Sequence, residues 1–136
     1  MGASVYAELG ATWKLLMTRP TDAAHVLGKL LKYVGEDRVL WGTDSVWWGS
    51  PQWQIEAMRR LEIPADMQKK YGYKPLGAAD GPVKTKIFAG NASKLYKIDP
   101  KTADKLSADN FDAIRGEYLA QGGLPSNLRY GYVAPG

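Results

Sequence analysis

The stretch that decides the fold is residues 37–45, with the sequence Asp-Arg-Val-Leu-Trp-Gly-Thr-Asp-Ser. Its centre, residues 39–41, is a compact apolar run of the kind that forms a buried strand. The glycine and polar residues that follow predict a turn, which places Asp44 just beyond the carboxyl end of the strand. In α/β folds this end faces the ligand crevice, so Asp44 is a candidate functional carboxylate. On spacing alone, a turn aspartate bonded to backbone amides is the more common arrangement.

The residues before this strand predict a βαβ unit. Residues 4–9 have the apolar character of a short strand, and a helix is expected to begin near Pro20 with Thr21 as its N-cap. Apolar residues then recur at helical spacing as far as Val34, and Gly35 stands where a left-handed residue commonly follows a helix. A strand, a helix and a strand joined by short links indicate two parallel strands.

The rest of the chain is predicted to be mostly helical. Residues 46–49 are expected to form a tryptophan-rich loop, and Ser50 to cap the next helix with Pro51 in its first position. Further helices are expected over residues 64–72, from residue 82 onward, and over about residues 109–121. The last of these has Phe111, Ile114 and Tyr118 on one side, and the tail, residues 124–136, is expected to be coil.

Composition excludes several classes of function. The chain has no cysteine, so disulfides, cysteine-ligated zinc and thiol chemistry are excluded. Its net charge of +4 is modest and its basic residues are scattered, so we expect no nucleic-acid binding. No signal peptide is visible, and no window approaches the roughly 18 apolar residues that a membrane span requires. The sequence therefore predicts a soluble, cytoplasmic protein without membrane contacts.

Three blocks of this sequence resemble the amidohydrolase-related (amidohydrolase 2) family of the amidohydrolase superfamily. Residues 37–45 are similar to the family's signature at its last barrel strand, and residues 6–10 to the strand before it. Residues 87–96, Ile-Phe-Ala-Gly-Asn-Ala-Ser-Lys-Leu-Tyr, are similar to its closing helix. The order and spacing of the blocks also fit the end of such a barrel. The resemblance covers residues 5 to about 98, and residues 126–132 are similar to extensions on larger bacterial members.

The resemblance implies an α/β fold, namely the C-terminal fragment of a (β/α)8 TIM barrel. We expect residues 1–98 to form its last two βα units and residues 99–136 a helical and coil extension. The 136 residues fall short of the roughly 250 of a complete barrel. We therefore expect the missing N-terminal barrel segment, or self-association as a homo-oligomer, to cover strand edges that two strands alone leave unpaired.

The family also implies a reaction, which is hydrolysis or decarboxylation of a small-molecule substrate at a carbonyl or carboxylate carbon. A divalent metal (zinc, manganese or iron) lowers the pKa of bound water from about 15.7 to about 7. The aspartate that matches Asp44 ligates the metal or accepts a proton from its water. The family's metal-binding histidines are missing, because the single histidine, His25, lies in an apolar helical pattern. We therefore expect this chain alone to be inactive and to bind no catalytic metal tightly.

Other candidate residues lie near Asp44. Glu8 ends the first predicted strand and could reach a substrate, although a salt bridge or a cap is its more common role. Trp47 and Trp48, with Trp53, could stack on a planar substrate or pack the loop against its own helix. Two other functions stay open: a non-catalytic structural or interaction module derived from the barrel end, and a small aromatic-rich domain that binds sugars or nucleotides.

Overall fold

A computed structural model of the chain describes residues 5–99, 101–102 and 111–123. The chain divides into two compact units, Met1–Lys97 and Ile98–Gly136. In its described part the first unit is helix-rich and contains two short strands, β1 (Ala7–Glu8) and β2 (Val39–Leu40). Its helices are α1 (Gly10–Leu16), α2 (Pro20–Tyr33), α3 (Ser45–Trp48), α4 (Gln52–Arg60), α5 (Ala65–Tyr71), α6 (Pro82–Thr85) and α7 (Asn91–Tyr96).

The two strands form a parallel sheet, as the predicted βαβ unit requires. Ala7 pairs with Val39 and Glu8 with Leu40, and the Leu9 N–H donates to the Leu40 carbonyl at 3.1 Å. Both strands are shorter than predicted, since only Ala7–Glu8 and Val39–Leu40 are paired as strands. Helices α1 and α2 make the connection, and a 3₁₀ turn, Glu36–Arg38, leads into β2. The result is a partial α/β arrangement.

The far edge of β2, away from β1, is occupied by a helix. A π turn, Lys86–Gly90, joins α6 to α7, and there the Asn91 N–H bonds to the Lys86 carbonyl instead of the Ile87 carbonyl. The Ile87 carbonyl is thereby available and accepts a hydrogen bond from the Trp41 N–H at 3.0 Å. The expectation that this edge would be unpaired is therefore wrong at Trp41.

Side chains of the same helical segment also bond to β2 and to the residues just before it. The Asn91 Nδ2 donates to the carbonyls of Glu36 and Val39, both at 2.8 Å. The Lys86 Nζ lies 2.5 Å from Glu36 Oε1 and 2.9 Å from Asp37 Oδ1. The hydrogen bond from Lys86 lowers the pKa of Asp37, while the hydrogen bonds to Glu36 and then Asp37 raise the pKa of Lys86. The segment similar to the family's closing helix therefore binds the start of β2.

The core of the first unit is formed by α1, α2, β2, α4 and the segments that follow α4. Its buried apolar side chains include Trp13, Leu27, Leu31, Val39, Met58, Ile63, Leu76 and Ile87. Helix α2 packs against Tyr73 at Gly28, where an added Cβ would lie 2.3 Å from the Tyr73 ring. Only glycine fits at this crossing, so α2 and the segment after α5 pack in direct contact.

Several predicted helix boundaries need correction. Helix α2 begins at Pro20, so Thr21 is not its N-cap; Arg19 holds that position, and its Nε donates to Asp22 Oδ2 at 2.7 Å. Proline is suited to the first helical position because it has no N–H to leave unpaired. Helix α4 begins at Gln52, whose N–H bonds to Ser50 Oγ at 3.2 Å. The expected tryptophan-rich loop contains the short helix α3.

The second unit contains, in its described part, helix α8 (Phe111–Ala120). The prediction of a helix over residues 109–121 agrees with it, although residues 109 and 110 lie outside the described residues. Ile114 and Tyr118, predicted to lie on one side of this helix, are each 55% exposed. The predicted coil, residues 124–136, also lies outside the described residues. Among the helices that the structure describes, none has the length and apolar character needed to cross a membrane.

Candidate functional site

Asp44 lies just beyond β2, where the sequence placed it. Its backbone is left-handed, with φ 47° and ψ 36°, a conformation that few residues other than glycine adopt readily and that aspartate tolerates better than most. Its carboxylate Oδ2 accepts a hydrogen bond from the Ala11 N–H at 2.8 Å. Ala11 belongs to the first turn of α1, the helix that follows β1. The side chain therefore reaches from the end of one strand to the end of its neighbour.

Glu8 meets Asp44 at this end of the sheet. Its Oε1 accepts from the Gly10 N–H at 2.9 Å. A Cβ added to Gly10 would lie 2.7 Å from Glu8 Oε2 and 3.1 Å from Asp44 Oδ2, so both carboxylates border the same small space. We call Glu8 and Asp44 the carboxylate pair. They approach each other because residue 10 has no side chain to separate them.

Gly42 is a second glycine that the site requires. A Cβ on Gly42 would lie 1.4 Å from Glu8 Oε1, so a larger residue would displace that carboxylate. Sequence reasoning did not select Gly10 or Gly42 as site residues. The available signal was a glycine directly after each predicted strand, at the end where functional groups collect.

Backbone amides partly compensate the charge of the carboxylate pair. Each carboxylate accepts one N–H from the beginning of α1, where unpaired amides favour negative charge. Within the described part of the chain, neither Glu8 nor Asp44 forms an ion pair with lysine or arginine. Carboxylate oxygens that border one small space can both serve as ligands to a hard cation. The arrangement is thus suited to contributing ligands to a cation.

The described residues do not make a metal site by themselves. No group of three or more histidine, cysteine, aspartate or glutamate side chains is close enough to hold a metal ion among them. The carboxylate pair supplies two such residues, and a mononuclear site in a protein usually takes at least about three protein ligands. No chemical step through a metal follows from this chain alone.

The tryptophans near Asp44 have different environments. Trp47 and Trp48 belong to α3 and are 80% and 39% exposed. Their backbone N–H groups donate to the Asp44 carbonyl at 2.9 and 3.2 Å. Trp53, on α4, is half-buried, and the Lys14 Nζ lies 5.2 Å from the centre of its ring. The structure therefore places Trp47 and Trp48, but not Trp53, in the segment that starts at Asp44.

Gln54 is a buried residue beside the site that sequence reasoning missed. It is 1% exposed, and its Nε2 donates to the Thr43 carbonyl at 2.7 Å. Its own backbone carbonyl accepts from Trp13 Nε1 at 2.9 Å. The sequence offered only a weak signal, a polar residue beside Ile55 at the beginning of an amphipathic helix. Its contacts link α4 to the turn that carries Asp44.

His25 takes part in a different cluster. Its Nδ1 lies 3.0 Å from the Tyr73 hydroxyl, and its ring centre lies 4.8 Å from that of Tyr71 and 5.6 Å from that of Tyr73. The pKa of Tyr73 is raised, mainly because the group is desolvated by burial and to a smaller extent because Tyr33 and Tyr71 lie nearby. The structure does not bring His25 together with the carboxylate pair in any described hydrogen bond, and its contacts are those of a packing histidine.

Comparison with known proteins gives one positive result. A sequence model of the family described as Amidohydrolase matches residues 2–98. That range contains β1, β2, the carboxylate pair and the helical segment that contacts β2. Comparison with curated proteins found no significant match, and comparison with solved structures found none either.

Proposed function

The chain belongs to the amidohydrolase-related family, and from that premise we propose that it is the C-terminal portion of a metal-dependent hydrolase. The proposed reaction is hydrolysis or decarboxylation of a small-molecule substrate at a carbonyl or carboxylate carbon. In this proposal residues 1–98 form the end of a (β/α)8 barrel and residues 99–136 an extension. The rest of the barrel would come from an N-terminal segment or another chain, and the complete protein is expected to be a homo-oligomer.

The observation that carries the proposal is the position of the carboxylate pair. Glu8 and Asp44 lie at the carboxyl ends of two adjacent parallel strands. TIM-barrel enzymes place their active sites at this end, and their catalytic residues come from the ends of several strands. A structural turn aspartate would explain the hydrogen bond to Ala11 but not the approach of a second carboxylate that has no lysine or arginine partner among the described residues.

In this proposal Asp44 is the catalytic residue. Its Oδ2 is engaged by the Ala11 N–H, whereas its Oδ1 accepts no hydrogen bond within the described residues, and the side chain is exposed. Oδ1 is therefore the atom that would accept a proton or ligate a cation. A divalent metal, when bound, would supply activated water at neutral pH. Its other ligands would have to come from further barrel strands, because the described residues do not suffice.

Glu8 and the exposed tryptophans are proposed to contact the substrate. Glu8 shares the space over Gly10 with Asp44, so it would orient a polar group of a bound molecule. Trp47 and Trp48 follow Asp44 directly and expose ring surface that can stack on a planar substrate. These roles support the same site, since all of the residues lie at or just beyond strand ends.

A binding experiment with Mn²⁺ tests the proposal on this chain. Manganese is paramagnetic, so even weak occupancy broadens the NMR signals of nearby amides. We expect broadening of the Gly10, Ala11 and Ser45 amides, and its loss in Asp44→Asn. Asp66, an exposed carboxylate in the first turn of α5, is the matched control. If the amides near Asp66 broaden as strongly as those near Asp44, and that broadening is unaffected by Asp44→Asn, a cation-binding role of Asp44 is contradicted.

The second candidate function is a non-catalytic structural or interaction module. It is favoured by the far edge of β2, where the Ile87 carbonyl and the Asn91 side chain bind groups that a neighbouring strand would otherwise use. A sheet protected in this way does not need a further strand on that side. Under this function, Asp44→Asn would leave the biological role intact, and selective Mn²⁺ broadening would be absent.

A further inference from the structure

Three hydrogen bonds join Asp44 and Gln54 in a closed ring. The Gln54 Nε2 donates to the Thr43 carbonyl at 2.7 Å, directly before Asp44. Trp13 Nε1, on α1, donates to the Gln54 backbone carbonyl at 2.9 Å. The beginning of α1 then returns to Asp44, because the Ala11 N–H donates to Asp44 Oδ2 at 2.8 Å. The turn, α1 and α4 are therefore connected pairwise around the candidate catalytic carboxylate.

The bond to Thr43 acts on the backbone angle that sets the direction of the Asp44 side chain. The Thr43 carbonyl belongs to the peptide plane on the N-terminal side of Asp44, and the rotation of that plane relative to the Asp44 Cα is the φ angle. That angle is 47°, in the left-handed region that L residues disfavour. A directional bond to the Thr43 carbonyl therefore stabilises a conformation that Asp44 would otherwise leave.

Packing alone does not account for a glutamine at position 54. Its Oε1 is buried and has no hydrogen-bond donor among the described residues. Burying an acceptor without a partner is unfavourable, and an apolar side chain of similar length would avoid that loss. The property that methionine or leucine cannot supply here is the Nε2 donor. The contact with Thr43 is therefore the distinctive contribution of Gln54.

We propose that Gln54 is a positioning residue, which holds the Thr43 carbonyl so that the Asp44 carboxylate is directed at α1 and toward Glu8. Its consequence for catalysis rests on the proposed function. The positioning itself can be measured in this chain without any turnover.

The test compares Gln54→Met with Gln68→Met. Gln68 makes a bond of the same kind and length, from its Nε2 to the Ile63 carbonyl at 2.7 Å, away from Asp44. In Gln54→Met we expect the Ala11 amide to exchange with solvent at least about tenfold faster and the Asp44 carboxyl ¹³C signal to shift. The thermal midpoint should change little, because the variant also removes the buried unpaired Oε1. Gln68→Met should leave both local signals unchanged.

A second variant keeps the test decisive if Gln54→Met weakens the whole fold. In Gln54→Glu the introduced carboxyl can donate to the Thr43 carbonyl when protonated and cannot when ionised. The protection of Ala11, relative to the wild-type chain at each pH, should therefore fall as the introduced carboxyl loses its proton. Protection and an Asp44 signal identical to wild type in both variants would overturn the positioning role. Confirmed positioning together with an inactive carboxylate pair would instead contradict the proposed function.

Discussion

Asn91 is bonded through its side-chain amide to the carbonyl of Val39 at 2.8 Å, across 52 positions of the chain. The same amide donates to the Glu36 carbonyl, also at 2.8 Å, and Asn91 is only 4% exposed. The Asn91 side chain therefore connects two separate blocks of sequence that both resemble the same family. This contact fixes β2, and with it the turn that carries Asp44.

We predict that Asn91→Ala destabilises the chain by roughly 2–4 kcal/mol, because one buried and one partly buried carbonyl lose their donor. Urea unfolding followed by circular dichroism measures the change. Ser93→Ala, two residues further along α7, is the control and should change stability by less than about 0.5 kcal/mol. Equal effects of the two substitutions would show that Asn91 contributes only general helix packing.

Under the proposed function, Asp44→Asn in the complete protein is predicted to reduce turnover by at least about 10²–10⁴-fold, the usual range for losing a general acid or base. Asparagine keeps the shape and can still accept the Ala11 N–H, so stability should fall by only about 1 kcal/mol. Steady-state kinetics and thermal unfolding on the same preparation measure both effects. A variant that melts early yet keeps normal specific activity when folded would identify Asp44 as a turn residue.

Removing the Lys86 charge is predicted to change how stability depends on pH. The pKa of Asp37 is lowered from 3.8, so its contribution is complete above pH 3.8 and is lost as pH falls through the lowered value. The pKa of Lys86 is raised from 10.5, so its contribution is complete below pH 10.5 and is lost as pH rises through the raised value. The difference in unfolding free energy between wild type and Lys86→Met should therefore be greatest between these limits.

The control for that experiment is Lys29→Met, which removes an exposed lysine on α2. Its stability difference from wild type should show no such window. Urea unfolding at a series of pH values measures both variants. A Lys86→Met difference that is constant from acid to alkaline pH would exclude the Lys86–Asp37 interaction as its origin.

Gly42→Ala is predicted to destabilise the chain by about 1 kcal/mol, the net value of a typical hydrogen bond. The added methyl would occupy the position of Glu8 Oε1, which then releases the Gly10 N–H. In a Glu8→Ala background the same substitution should cost much less. Gly90→Ala, where an added Cβ meets only the Thr85 carbonyl at 3.7 Å, is the control and should be neutral or slightly stabilising.

The parts of the structure that depend on residues close to each other in the sequence could be predicted. The parallel pairing of β1 with β2 followed from the order of apolar runs and short links, and the turn before Asp44 from its glycine and polar residues. The short helix α3 was missed because an uninterrupted apolar run, residues 46–48, gives no helical periodicity.

The contacts that define the candidate site join distant positions, and the sequence did not show them. Glu8 was a candidate, but its approach to Asp44 depends on two glycines, Gly10 and Gly42, that leave space for the carboxylates. Gln54 reaches Thr43 across 11 positions and Trp13 across 41. A buried glutamine and an exposed one are indistinguishable in a sequence until the fold determines which side of its helix is covered.

The π turn before α7 makes the contact with β2 depend on the number of residues in the helix. A π turn holds one residue more than an α turn, so deleting Phe88, Ala89 or Gly90 would leave regular α-helical bonding in its place. The Ile87 carbonyl would then accept from an N–H of its own helix, and the Trp41 N–H would lose its partner, although every side chain of α7 was retained. The length of this turn is as much a determinant of the fold as the identity of Asn91.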